Sequence, residues 1–304
     1  MRRSVTARAM VRFAAVFALL AALPASAGTY YVSPQGSQVG DGTREKPFAA
    51  SDVLMAVKPQ PGDEIVFLDG VYDMSKAGLT ISSTGTEKAP VVYRAQNRHG
   101  AVLDGGAPVT GWRRGEDGVW ECRVARAPWG LLVNGEGVVA ARGQGQAALE
   151  EGTFSTEAIK EGGAILRMRT WADQEPKEVF GVGGTLIAVG GAYNIVDGFV
   201  VRRGATGIHV AGRPVHTHRL EAGLYRDLCG LANNLFGSFN IVRNCIVRDM
   251  VGQGMTSNES RFNLIEDNVI YNAGLSQGSH GIYISQGAEN LTLRRNVWWR
   301  TSGG

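Results

Sequence analysis

Cysteine is scarce in this chain: 304 residues include only Cys122, Cys229 and Cys245. An odd number of cysteines, spaced far apart, excludes a framework of paired disulfides. The same spacing argues against a zinc cluster of thiolates. With 44% hydrophobic residues, the chain is instead expected to fold around an apolar core.

Long apolar runs are absent after the first 27 residues. Four early arginines and the apolar run from Phe13 to Leu23 precede the small residues Ala25-Ser26-Ala27. This order predicts a secretory signal peptide that is cleaved near Ala27–Gly28. We therefore expect a secreted or periplasmic protein with no integral membrane segment.

An excess of positive charge is also missing from the mature chain. The formal net charge is +3, and removal of the four arginines of the signal peptide changes it to −1. Bulk charge of this kind does not favour nucleic-acid binding.

Glycine is abundant, with 42 residues, and one phrase recurs: NIVDGFVVRRG from Asn194 and NIVRNCIVRDM from Asn240. Aligning similar phrases places five apolar residues in one column, spaced by 24, 22, 23 and 28 residues: Val196, Leu220, Val242, Ile265 and Leu293. A glycine-led strand follows four of these phrases. A period near 23 in β-branched, glycine-rich sequence predicts a parallel β-helix whose coils stack about 4.8 Å apart.

Neighbouring columns are consistent with this alignment. Asn268 and Asn296 predict an asparagine ladder, with Cys245 as a small buried residue in the same column. One position after the apolar column, charges alternate in sign from Glu221 onward, which favours pairing across strands. That column contains Asp197, Glu221, Arg243, Glu266 and Arg294.

The repeats suggest a domain organisation. We expect an N-terminal cap and first coils over 28–106, a β-rich insertion over 107–184 and further coils over 185–304. Ala49 to Val57 is predicted to form a cap helix. Four tryptophans of the insertion are expected in its core: Trp112, Trp120, Trp129 and Trp171. The last residues stop where another strand should begin, so we expect a truncated chain or a partner that covers this end.

The phrases TYYVSPQGSQVGDGTREKPF, PGDEIVFLDGVY and HGIYIS, together with the coil repeats, resemble secreted proteins of the pectin-lyase-like superfamily. The resemblance covers essentially the whole mature chain. It implies an all-β fold, the right-handed parallel β-helix. It also implies a polysaccharide partner, because this superfamily includes polysaccharide lyases, uronate epimerases and glycoside hydrolases.

A further column is predicted to face solvent by strand alternation. This arginine–aromatic column contains Arg202, Arg226, Arg248, Tyr271 and Trp299. Arginines bind carboxylates in pairs of hydrogen bonds, and flat rings contact sugars, so the column is a candidate binding surface for an anionic polysaccharide. The alternative is a solvated surface whose arginines are neutralised by the next column, which contains Arg203, Asp227, Asp249, Asn272 and Arg300.

His280 and Tyr283 are candidate catalytic residues, with Arg248 as the cation that steadies a substrate carboxylate. β-Elimination or epimerisation of a uronic acid needs a base that removes the proton at C5. After Lys177 the chain contains eleven arginines and no lysine, which argues against a lyase with a lysine base. His280 could instead be a loop residue bonded to backbone.

Asp227 and Asp249 are candidates for a second chemistry. If they lie one coil apart, about 5 Å, they suit a retaining glycosidase. Calcium is the cofactor considered, with Asp249, Asn272 and Glu259 as weak ligand candidates. The aspartates could also be turn residues that bond to local backbone.

The histidines His216 and His218 form a candidate metal pair that has no third ligand nearby in sequence. The chain could also be a non-catalytic carbohydrate-binding or cell-surface β-helix protein rather than an enzyme. In either case we expect a monomer.

Overall fold

The computed structural model describes residues 27–37, 39–50, 56–141, 149–211, 237–276, 278–285 and 287–301. Within them the regular elements are β-strands, apart from a 3-10 turn (Trp171–Asp173) and two helical residues, Ala56 and Val57. The predicted signal peptide lies outside these residues. Most of the predicted cap helix does as well, so both stay predictions.

Each complete coil of the chain contains three strands. The chain begins with β1 (Thr29–Ser37), and the first coil contains β2 (Glu64–Phe67), β3 (Gly70–Asp73) and β4 (Leu79–Ile81). The second coil begins with β5 (Val91–Ala95) and β6 (Ala101–Asp104).

An insertion follows, with strands β7 (Ala107–Pro108), β8 (Arg113–Arg114), β9 (Trp120–Val124), β10 (Gly130–Val133), β11 (Glu136–Ala140), β12 (Thr153–Ala158), β13 (Ala164–Arg169) and β14 (Val179–Val182). The second coil then ends with β15 (Thr185–Val189).

The later coils contain the remaining strands. The third contains β16 (Asn194–Asp197), β17 (Val200–Arg202) and β18 (Thr206–Ala211). The fourth contains β19 (Ile241–Arg243), β20 (Ile246–Met250) and β21 (Gln253–Asn258). The fifth contains β22 (Leu264–Glu266), β23 (Val269–Ala273) and β24 (Ile282–Ser285), and the sixth contains β25 (Thr292–Arg294) and β26 (Val297–Thr301).

Corresponding strands of successive coils pair in parallel and form three sheets. Sheet A has the order β1-β2-β5-β16-β19-β22-β25, sheet B has β3-β6-β17-β20-β23-β26, and sheet C has β4-β15-β18-β21-β24. Alternate residues of each strand point inward, so the β-branched positions stack into one apolar core. Near its N-terminal end, the Phe67 ring lies edge-on to Tyr72 and Phe199, with centroid distances of 5.4 and 5.1 Å. The predicted parallel β-helix is confirmed.

The predicted columns appear as rungs. Val242 pairs with Ile265, and Ile265 with Leu293. Asn268 donates from its backbone and side-chain nitrogens to Oδ1 of Asn296, both at 3.0 Å. The backbone N–H of Cys245 donates to Asn268, and burial raises the pKa of its thiol to about 12. The asparagine ladder and the buried cysteine are both confirmed.

The alternating charge column differs from the prediction at one rung: Asp197 pairs directly with Arg243, so the predicted rung at Glu221, which lies outside the described residues, is wrong. Nε of Arg243 donates to Asp197 at 2.8 Å, and Nε of Arg294 donates to Glu266 at 2.7 Å. Toward the N-terminus the column continues with Arg94, which pairs in register with Asp197. Arg94 also donates to Glu64 at 2.5 Å, although its register partner on β2 is Val66. Each charge therefore faces an opposite charge on the next coil, which stabilises the stack by a few tenths of a kcal/mol per pair.

The predicted rung at Leu220 is wrong. Strands β16 and β19 pair directly, with Val196 opposite Val242 and Asp197 opposite Arg243. The 46 residues between the two phrases therefore span one rung rather than two. Leu220 itself, like Arg226 and Asp227, lies outside the described residues.

The insertion forms its own sheet, with the order β7-β14-β10-β11-β12-β13-β9-β8. Its pairings are antiparallel except between β11 and β12. Trp112 and Trp120 pack against its core, as predicted. Trp129 and Trp171 are 48% and 46% exposed, so the expectation that all four tryptophans form this core is wrong.

Candidate functional site

The arginine–aromatic column lies on the outer face of sheet B. Arg202 pairs in register with Arg248, Arg248 with Tyr271 and Tyr271 with Trp299. The rings of Tyr271 and Trp299 stack with a centroid distance of 4.6 Å and an angle of 5°. Arg226 does not lie between Arg202 and Arg248, so that rung of the predicted column is wrong.

Arg202 is neutralised from the preceding coil. It pairs in register with Asp104, and Nη2 of Arg202 lies 2.8 Å from Asp104 Oδ2. Arg203 also donates to Asp104, with its Nε 2.8 Å from Oδ1, and its guanidinium lies 3.8 Å from the centre of the Phe180 ring. Burial opposes ionisation of Asp104, but the hydrogen bond from Arg203 and the nearby positive charges hold the pKa of its carboxyl below 3.8.

Arg248 is neutralised by its neighbour. Its guanidinium forms an ion pair with Asp249, whose other oxygen accepts a hydrogen bond from Nδ2 of Asn272 at 2.8 Å. Asp249 and Asn272 have left-handed backbone, with φ of 57° and 49°. The observed arrangement is a neutralised, ion-paired surface. Asp249 and Asn272 each lie one residue before the end of their strand, β20 and β23, where the left-handed backbone bends the strand.

The predicted carboxylate pair is not built as expected. The rung next to Arg248 contains Arg202, so the prediction that Asp227 and Asp249 occupy neighbouring rungs is wrong. Asp227 itself lies outside the described residues.

The calcium candidates do not converge either. Both oxygens of Asp249 already have partners. The described part of the chain contains no group of three or more His, Cys, Asp or Glu side chains that could hold a metal ion. Glu259 lies after β21 with a φ of 47°. His216 and His218 lie outside the described residues.

His280 and Tyr283 are side by side at the start of β24. Their rings lie 4.9 Å apart at an angle of 27°, and Tyr283 is 37% exposed. The backbone N–H of His280 donates to Oε1 of Gln253 at 2.7 Å, and its carbonyl accepts from Gly254 at 3.0 Å. Nδ1 of His280 is buried and has no hydrogen-bond partner in the part of the chain that the structure describes. The backbone of the histidine is therefore fixed by hydrogen bonds on both sides of its peptide unit.

Sheet C extends this polar face with residues that the sequence alone did not single out. Tyr283 pairs in register with Thr256, and Thr256 with His209. Nδ1 of His209 is hydrogen-bonded to the hydroxyl of Thr256, and both side chains are at least 97% buried. Their neighbours Ile208 and Met255 point into the core, so His209 and Thr256 face outward and are covered from outside.

The insertion packs against the corner where sheet B turns into sheet C. Nδ2 of Asn272 donates to the carbonyl of Gly135 at 3.0 Å, and Arg300 lies 3.0 Å from Glu136. Leu132 and Val182 of the insertion form a small apolar cluster with Val251. The loop before His280 is thus built against the insertion as well as against the coil.

A cleft of about 470 Å³ lies between the insertion and the first coil. Sequence reasoning did not identify it, because its walls come from segments about 100 residues apart. Its lining includes Lys76, Arg126, Trp129 and the glycines from Gly181 to Gly184.

Within the described residues, no helix is both long and apolar enough to cross a membrane.

No protein-family model and no curated protein matches this sequence. Solved structures do match it. The chain is similar to the protein in the complex of XylC with xylose, with a TM-score of 0.58 and 16% identity over 88% of this chain and 58% of that chain. It is also similar to a glycoside hydrolase, with a TM-score of 0.53 and 13% identity over 85% of this chain and 67% of that chain.

A third match is an alginate lyase from Paenibacillus sp. str. FPU-7, with a TM-score of 0.42 and 14% identity over 88% of this chain and 58% of that chain. At 58% coverage, this chain spans less than two thirds of the length of the XylC protein described above. The stacked parallel sheets and the first two matches lead to one conclusion: the chain has the right-handed parallel β-helix fold.

Proposed function

We propose that this chain is a secreted, carbohydrate-active β-helix protein that acts as a lyase or epimerase on a uronic-acid polysaccharide. The names of two matching structures, a xylose complex and a glycoside hydrolase, support carbohydrate as the substrate class. The observation on which the chemistry depends is the adjacency of His280 and Tyr283, whose rings lie 4.9 Å apart.

The pair supplies a proton acceptor and a proton donor. Because Nδ1 of His280 is buried, we assign contact with substrate to Nε2. In β-elimination Nε2 takes the proton from C5, a double bond forms between C4 and C5, and the bond from C4 to the leaving oxygen breaks. The phenol of Tyr283 then donates its proton to that oxygen.

The same geometry favours elimination over epimerisation. Epimerisation removes a proton from one face of the sugar ring and returns one to the opposite face. His280 and Tyr283 stack at 27°, so they approach a substrate from one side. Two groups on one side suit a syn elimination, in which the C5 proton and the leaving oxygen lie on the same face of the sugar ring.

Substrate binding by the arginine–aromatic column takes a revised form. Arg202 and Arg248 already have carboxylate partners in Asp104 and Asp249. We therefore propose that Tyr271 and Trp299 provide the main sugar contacts in this column and that the arginines have a secondary role. Hydrolysis by Asp227 and Asp249 loses support, because the two do not occupy neighbouring rungs.

The test is incubation of the protein with pectate, alginate and glycosaminoglycans while ultraviolet absorbance reports unsaturated product. We expect product from at least one polymer, and a fall of about a hundredfold or more in rate for His280→Gln and Tyr283→Phe. The matched controls are His99→Gln and Tyr193→Phe, at other corners of the coils. Absence of product from every polymer would contradict the lyase assignment. Undiminished turnover by His280→Gln would contradict the assignment of the base.

A further inference from the structure

The cleft between the insertion and the first coil has the dimensions of a small-molecule site. Its volume of about 470 Å³ falls within the range of roughly 300–1,000 Å³ that is typical of ligand pockets. One wall is the turn after β3, from Met74 to Gly78, and the facing walls come from the insertion. None of these residues belongs to the His280–Tyr283 pair or to the arginine–aromatic column.

The charge of the cleft has one sign. Lys76 and Arg126 are its charged lining residues, and none of the described residues that line it is acidic. Neither cation forms an ion pair or a side-chain hydrogen bond with any residue in the described ranges. This distinguishes them from Arg202 and Arg248, whose charges are compensated by carboxylates. A concave surface with two uncompensated cations attracts an anionic group.

Trp129 adds an apolar platform. It lines the cleft and is 48% exposed. Its ring edge packs against the backbone of Gly252, where a Cβ would lie only 3.1 Å from Cη2 of Trp129. The indole is therefore held along one edge while much of its surface stays open. A fixed ring of this kind can contact the apolar face of a sugar at little cost in conformational entropy.

The backbone beside Trp129 is open, where the N–H of Trp129 donates to the carbonyl of Val182 at 2.8 Å. A Cβ added at Gly183 or Gly184 would meet no atom within 4 Å among the described residues. Gly184 has a φ of 72°, which favours glycine, whereas Gly183 lacks this constraint. A large side chain at Gly183 should thus fill the cleft without straining the backbone.

We propose that this cleft binds an acidic sugar unit, in which Lys76 and Arg126 contact the carboxylate and Trp129 packs against the pyranose ring. The choice of a carbohydrate rests on the proposed function, while the charge and the platform come from the cleft itself. The cleft is a binding site without chemistry of its own, and it would hold part of an acidic polysaccharide.

The test is calorimetric titration of the full chain with tetrasaccharides of galacturonate, mannuronate and glucuronate. Neutral xylotetraose and inorganic sulfate serve as comparison ligands. The double variant Lys76→Gln/Arg126→Gln removes the cations. The matched control Arg123→Gln/Lys160→Gln removes the same charge from exposed parts of the insertion outside the cleft. Gly183→Phe fills the cleft, and thermal unfolding shows whether each variant is folded.

We expect at least one acidic tetrasaccharide to bind about tenfold or more tightly than xylotetraose. The cleft double variant should weaken that binding about tenfold or more, the control should change it less than about threefold, and Gly183→Phe should abolish it. Binding should also weaken with added salt. Failure of all three acidic ligands, or equal binding by the cleft double variant, would overturn the proposal. Sulfate binding as tight as that of the sugars would show a simple anion site and overturn the sugar assignment.

The same titration with His280→Gln separates this inference from the proposed function. Cleft binding that persists while no polymer yields product would remove only the lyase or epimerase assignment. Turnover that depends on His280 without binding in the cleft would remove only the present proposal.

Discussion

Asn240 accepts two hydrogen bonds from Asn194, although 46 residues separate them: one from the backbone N–H at 2.9 Å and one from Nδ2 at 3.1 Å. The backbone N–H of Asn240 donates in turn to Oδ1 of Asn263 at 2.8 Å. All three asparagines are at least 97% buried. This second asparagine ladder joins the third, fourth and fifth coils where sheet C turns into sheet A.

Replacement of Asn240 by alanine should be costly. The variant leaves the buried backbone N–H of Asn194 without its acceptor, whereas Nδ2 of Asn194 keeps the carbonyls of Ser83 and Ala192. The free energy of unfolding should therefore fall by about 1–3 kcal/mol. Urea denaturation followed by circular dichroism measures the change. Asn97→Ala is the matched control, because the Asn97 side chain bonds to Asp69 at an exposed site. Equal losses for the two variants would show that the ladder does not hold the coils together.

Asp104 should make stability depend on acid pH. The pKa of its carboxyl is lower in the folded protein than the ordinary 3.8, so its stabilising contribution is complete above that value. The contribution is lost as the pH falls below 3.8 through the folded-state pKa. Asp104→Asn should lower the free energy of unfolding at neutral pH by about 3 kcal/mol, since it leaves Arg202 and Arg203 without their partner.

The measurement for Asp104 is the free energy of unfolding from neutral pH down to about pH 3. The wild type should lose more stability over the acid part of this range than Asp104→Asn does. Asp173→Asn, which removes an exposed partner of Arg114, should change little. Parallel acid profiles for wild type and Asp104→Asn would rule out the assigned role of the carboxyl.

Gly254→Ala should disrupt the contact between the fourth and fifth coils. A Cβ at this position would collide with the carbonyl oxygen of Gly281 and lie 2.9 Å from Cγ2 of Ile270. We expect a loss of about 3 kcal/mol in the free energy of unfolding or a failure to fold, because backbone and core have to move apart. Gly183→Ala, which meets open space, should be nearly neutral in thermal denaturation. A stable Gly254→Ala protein would mean that the coils are not packed this closely.

The rungs could be predicted from two signals. Inward and outward residues alternate within each strand, and the same pattern of residues returns after a nearly constant number of residues in each coil. Arg243 and Glu266 show both signals, and they stack as predicted. The segment around Leu220 has a similar residue pattern, and the 46 residues from Asn194 to Asn240 are close to two periods of 23. Composition alone could not show that β16 pairs directly with β19.

The site was harder to predict because its contacts are long-range. Asp104 neutralises Arg202 from 98 residues away, across the insertion. Alignment of AVLDGG with FVVRRG would have placed the two residues in register, so a signal was present. No comparable signal marks His209, which is buried on an outward position, or the cleft, whose lining is brought together by the insertion.

The most direct measurement of the central claim follows hydrogen exchange at C5 of the uronic acid in heavy water. Nuclear magnetic resonance of the products detects deuterium introduced by epimerisation, and the unsaturated products of elimination appear in the same spectra. The wild type should show one of these outcomes with pectate, alginate or a glycosaminoglycan, and His280→Gln should slow it by about a hundredfold or more. Neither outcome with any polymer, or equal rates in the two proteins, would contradict the assignment of His280 and Tyr283 as the catalytic pair.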